Sequence, residues 1–233
     1  MRAFVRLLAV TTVVASAFAA GSTPASAQNA CQALPTHAAL KAALSRAIAD
    51  VTGPNRGFGL NMWATVVNRE GTVCAVVFTG ANVGDQWPGS RVISAQKANS
   101  ANAFSLNGLA LSTAQLYPLV QPGQSLFGLQ ESNPVDTHVA YAGNPANYGQ
   151  PSDGMVNNRI GGVNVFGGGL ALYRGGQIIG AVGVSGDTSC ADHSIAWQLR
   201  KLLGLNTTPT SDNITYGPGA HPTCVGGETP PAP

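Results

Sequence analysis

Charge is scarce in this chain. Only 9% of its 233 residues are Asp, Glu, Lys or Arg, far below the ~25% usual in globular domains. The formal net charge is +2, and Arg2 and Arg6 at the extreme N-terminus account for it. No run of basic residues remains, and a surface that tracks phosphates needs one, so nucleic acid is excluded as a partner. Solubility is left to Asn, Gln, Ser, Thr and the backbone. Signature motifs are missing too. There is no GK[ST], and "GGGLALYRGG" puts Leu172 where the third glycine of a G-x-G-x-x-G turn belongs, so nucleotide binding through such loops has no support. The four histidines form no HExxH and no spaced pair, which argues against a protein-only zinc site. The four cysteines form no CxxC, which excludes a zinc knuckle or a thioredoxin-like site.

What is present begins with an export signal. The opening "MRAFVRLLAVTTVVASAFAAGSTPASAQ" has a positive start, an uncharged apolar stretch and the cleavage pattern Ala25-Ser26-Ala27. Residues 1–27 read as a signal peptide, and the mature chain starts at Gln28. No later stretch has the roughly 20 apolar residues of a membrane span. The protein is expected to be secreted or periplasmic. In an oxidising compartment Cys31, Cys74, Cys190 and Cys224 read as two disulfides, their pairing open.

Along the mature chain the pattern alternates helices with hairpins. Residues 35–52 carry Leu40, Ala43, Leu44, Ala47, Ile48 and Val51 at three- and four-residue steps, ended by Gly53-Pro54. Two β-rich runs then flank Arg69-Glu70-Gly71, a hairpin signal. A second helix spans about 93–107, with Ala98, Ala101 and Phe104 in phase. From 112 to 168 the pattern dissolves into Asn, Pro, Gly and Gln, a long loop that is either functional or an insertion over the core. A second hairpin turns at Arg174-Gly175-Gly176, and its second strand is apolar on both faces, as a central strand is. The last helix starts at Ser189, with Asp192 three residues on as in a capping box. Its stripe is Ile195, Leu199, Leu202 and Leu203, and Arg200 and Lys201 lie near its end at Gly204. A tail over 206–233 is irregular. The order predicts one α+β domain over 28–205, a single antiparallel sheet of about five strands with helices packed on it.

Chemistry-bearing residues are few. "GVSGD" places Ser185 between strand and helix, as in a nucleophile elbow, but Asp187 stands where G-x-S-x-G requires glycine. Ser185 is therefore read as architecture. His193 falls at the start of the last helix, where a cation is disfavoured, and is expected neutral and able to bind iron. His138 lies in the long loop, flanked by Tyr141, with the same capacity. His37 and His221 read as surface or capping residues. Lys97 lies among Ala95, Ala98 and Ala101, a small-residue surface that admits close packing. It is either a lysine with a buried stem or the holder of an anionic group such as a haem propionate.

Two segments carry a family resemblance. "ISAQKANSANAF" looks like the lysine-alanine helix of the GlcG/HbpS-like haem-binding (haem-degrading) family, and "GGGLALYRGGQIIGAVGVSGDTSCADHSIAW" resembles its closing segment. The resemblance covers about 35–205, apart from the loop near 130–162. It implies a GlcG-like, profilin-like α+β domain that forms homo-oligomers readily, with haem bound in some members. Lys97 matches the family's helix lysine and Asp192 its helix aspartate. Asn99-Ser100, the longer loop and the cysteines depart from the pattern. The leading expectation is an exported haem-binding protein, with His193, His138 and Lys97 as the cofactor-binding candidates and a role in haem sequestration or sensing. The alternatives are a non-haem small-molecule binder or scaffold on the same fold, and a haem-degrading or peroxidase-like enzyme, which requires bound iron with an open position. The proposed topology also pairs the cysteines. Cys31, ahead of the first helix, should reach Cys74, which follows the first hairpin turn. Cys190 starts the last helix at the opposite end of the sheet, within reach of Cys224 in the tail.

Overall fold

The computed structural model describes residues 31–206 and 211–233; the expected signal peptide lies outside them. Four strands, β1 (Trp63–Asn68), β2 (Val73–Phe78), β3 (Gly169–Arg174) and β4 (Gln177–Ser185), form one antiparallel sheet in the order β2-β1-β4-β3. The α+β architecture is as expected. About five strands were expected; among the described residues there are four, and the outer edge of β3 carries a bridge from Tyr173 to Asn206.

The sheet is covered on both faces, which explains why its central strands read as unbroken apolar runs. Helices α1 (His37–Asp50) and α5 (Ser189–Leu202) cover one face, burying Ala64, Val66, Leu170, Leu172, Val182 and Val184 with Leu40, Leu44 and Ile195. Helix α2 (Ser90–Phe104) covers the other, where Ala95, Ala98 and Ala101 meet Val67, Val76 and Ala181. The small-residue surface of α2 serves β4. A Cβ on Gly183 would run into the Ser94 carbonyl oxygen and the Ala98 nitrogen.

The irregular stretch from 112 to 168 is ordered as short turns, among them α3 (Thr113–Leu116), with a Ser112–Gln115 capping box, and α4 (Thr137–Ala140), capped by Asp136. It covers the α2 side and buries Ala140, Met155 and Ile160 in the core. A buried ion pair anchors it: Arg91 donates through Nε to Asp153 Oδ2 (2.9 Å) and through Nη1 to the Ala140 carbonyl (2.6 Å).

Two local expectations change. Thr188, not Ser189, caps α5, its hydroxyl accepting from the Ala191 amide. Leu202 faces solvent at 42% exposure, outside the buried stripe. Arg200, in the last turn as expected, is also fully buried. It donates to both carboxylate oxygens of Asp212 (2.6 and 2.8 Å) and to the Ala171 carbonyl (3.0 Å). The tail is thereby tied to α5, reinforced by the Cys190–Cys224 disulfide. Cys31–Cys74 is the other bridge, so both pairings are those predicted. No helix among the described residues is long and apolar enough to cross a membrane.

Candidate functional site: two clefts beside one helix start

Two clefts of ≈ 400 and ≈ 410 Å³ adjoin at Gly89, the residue before α2. The first lies over a buried ion pair. Lys97, on α2, donates to Asp192 Oδ2 on α5 at 2.7 Å and to the Val184 carbonyl at 3.3 Å, and both side chains are 2% exposed. The glycine strand beside them makes room for this contact. A Cβ on Gly168, whose φ is +120°, would lie 3.2 Å from the Lys97 Nζ and collide with the Val184 carbonyl oxygen. Burial drives Lys97 below the usual lysine range, against the attraction of Asp192. It also pushes Asp192 up to about 6, against the pull of Lys97.

Asp187, beside this pair, organises the rim. Its Oδ1 accepts from the Phe58 and Thr188 amides (3.0 and 2.6 Å) and its Oδ2 from the Leu60 amide (2.9 Å), with Arg56 4.0 Å away. The residue that breaks the elbow motif is thus a staple between the β4–α5 turn and the 57–60 loop. Ser185 lines this cleft too, as do Trp87, Ile93 and Phe166, and Trp87 and Phe166 remain 50% and 44% exposed.

The second cleft is walled by apolar and aromatic groups, including Trp63, Pro88, Val92, Tyr141 and Tyr148. Arg91 stacks on the Tyr148 ring at 3.6 Å, fixing that wall, and its N–H groups are engaged with Asp153 and Ala140. Tyr141 is 62% exposed and follows α4, which carries the exposed His138.

The three sequence-predicted binding residues are therefore not brought together. Lys97 is at the floor of the first cleft with its ammonium already paired, and His138 is exposed on α4, outside the lining of both clefts. His193 is fully buried under the tail, where its Nε2 accepts from the Ile214 amide at 3.1 Å. It is neutral as expected, but chiefly because burial pulls it down to about 3, with Arg200, His221 and Lys97 adding to the effect. His221 is likewise buried, against Tyr117 at 5.0 Å. His37 bonds the Gly149 carbonyl at 2.8 Å. Sequence reasoning missed Trp87, Phe166, Arg91 and Asp153. The aromatics are isolated in irregular chain, and the ion pair spans 62 residues.

The molecule is thus an α+β domain with two ligand-sized clefts and a lysine–aspartate pair between helices on opposite faces of its sheet. The family model of the haem degrading protein HbpS-like family matches residues 35–200, and the chain belongs to that family. Among solved structures it is similar to the PduOC:heme complex, with 24% identity over 76% of this chain and 99% of that one, at a TM-score of 0.50. It is also similar to Klebsiella pneumoniae protein ORFY, with 25% identity over 73% and 90%, at 0.48. A double mutant of Streptomyces reticuli HbpS gives 16% identity over 84% and 99%, at 0.44. No curated protein matches the chain.

Proposed function

We propose that this is an exported haem-binding protein that holds haem at the cleft beneath Tyr141, for sequestration or sensing outside the cytoplasm. The family's haem-related function supports the ligand. The observation that carries the site is an apolar wall lined by an exposed phenol, an oxygen donor suited to iron. Pro88, with the buried Trp63 and Val92, lines a seat for the macrocycle, the exposed Tyr141 lines the same cleft, and the exposed His138 lies three residues earlier in the chain, on α4. Tyrosine and histidine both serve as iron ligands in haem proteins. The Lys97 cleft fits iron less well, because among the described residues the side chains lining it include no imidazole, phenol or thioether. Haem bound at Tyr141 would supply iron redox chemistry, while the chain provides an apolar seat and the donors.

Titration of the mature protein with haemin tests this reading. A saturable Soret shift is expected, weakened about tenfold or more by Tyr141→Ala and measurably by His138→Ala. Lys97→Met and His193→Gln should leave it unchanged where the fold is retained. No saturable shift, or binding indifferent to both Tyr141→Ala and His138→Ala, overturns the assignment.

A further inference from the structure

The cleft over Lys97 and Asp192 is not absorbed by the haem reading, yet it has a built floor and built walls. The charges at the floor cancel, since Lys97 and Asp192 form one pair. Asp187 is spent on three backbone amides. The donors, however, are not all used. An ammonium has three N–H groups, and those of Lys97 meet two acceptors, Asp192 and the Val184 carbonyl. Among the described residues the hydroxyl of Ser90, 1% exposed and lining the same cleft, has no hydrogen-bond partner. Buried polar groups are rarely left in that state. Above the floor, the Trp87 and Phe166 rings and Ile93 form half-open apolar walls.

These features select among ligand chemistries. Unspent donors call for an acceptor. A carboxylate would add a negative charge over a pair already neutral, and burying an unanswered charge is costly. An ammonium ligand would have to compete with Lys97 for Asp192. A neutral carbonyl oxygen meets the floor without either penalty, and exposed aromatic walls favour a flat body.

We propose that the Lys97 cleft is a second binding site, separate from the haem site, for a small neutral planar carbonyl compound. Its oxygen accepts from Lys97 and Ser90, and its flat body packs on Trp87 and Phe166.

Benzamide is the probe, with benzoate and benzylamine as charged counterparts of the same shape. NMR titration of the mature, disulfide-intact protein should show saturable benzamide binding that shifts the Trp87 indole N–H. Benzoate and benzylamine should bind at least about tenfold more weakly. Trp87→Ala should weaken benzamide about tenfold and Ser90→Ala about threefold or more, without changing the far-UV spectrum. These variants carry the test because Lys97→Met removes half of a buried ion pair and can unfold the domain. Haemin loading should leave benzamide affinity unchanged. The proposal is overturned by an absence of saturable benzamide binding, or by benzoate or benzylamine binding as tightly. Binding untouched by both Trp87→Ala and Ser90→Ala, or competition with haemin, overturns it as well.

Discussion

Gly183 and the Lys97–Asp192 pair govern the same few ångströms of the interior. Gly183 lets β4 approach α2 so closely that any side chain would strike the helix backbone at Ser94 and Ala98. Backbone cannot give way as a flexible side chain can, so Gly183→Ala should destabilise by about 1–3 kcal/mol, measured by urea unfolding. Wild-type stability in that variant would show that β4 and α2 are not so closely packed. The ion pair obeys a different rule. Removing one partner strands a buried charge and costs roughly 3–5 kcal/mol, whereas replacing both by apolar groups is often close to neutral. Lys97→Met alone should therefore be less stable than Lys97→Met with Asp192→Leu, and the reverse order would show that the pair is not buried. Local sequence pattern could mark Lys97 only as a lysine in small-residue surroundings. Its partner is 95 residues away, a separation that no helical or strand period reports.

At the level of elements, α5 and the tail behave as one unit although only the helix has a pattern. The stripe through Ile195 and Leu199 was legible because those apolar residues pack in the sheet core, although almost all of residues 190–200 is buried. Arg200 was placed near the helix end, where it lies, but only the tail's Asp212 reveals it as a buried anchor. The tail packs no periodic face. It is held by the Cys190–Cys224 bridge, by Arg200–Asp212 and by Trp197, whose indole donates to the Ala232 carbonyl at 2.9 Å. The disulfide pairing could be read because topology limits which chain ends meet. The bridge closes a loop of 34 residues, for which restriction of the unfolded chain is worth roughly 3–4 kcal/mol. Replacing Cys190 and Cys224 together by serine should lower stability by that order. It should also speed amide exchange at Ile214, which donates to the buried His193. Unchanged exchange there would show that the polar anchors hold the tail unaided.

For the whole molecule, two buried groups set opposing pH dependences. Folded His193 sits at about 3, below the ordinary histidine value of 6.5. The unfolded chain thus takes up a proton that the folded one refuses, and the stability present above pH 6.5 is lost as pH falls towards 3. Asp192 is raised from 3.8 to about 6. Its contribution has the other sign, fully present below 3.8 and lost as pH rises through 6. Between these limits the two effects offset each other, so the wild-type curve alone does not isolate either. The difference between wild type and His193→Gln does, because glutamine can still accept from the Ile214 amide but does not titrate. At pH 7 the variant should be the less stable, having lost the imidazole packing against Trp197. On lowering the pH from 7 to 4 the gap should close by on the order of 3 kcal/mol, since each pH unit below 6.5 is worth about 1.4 kcal/mol. Urea unfolding at pH 7, 5.5 and 4 measures it. Parallel curves would mean that His193 is protonated in the folded protein, and that the tail does not seal it from water.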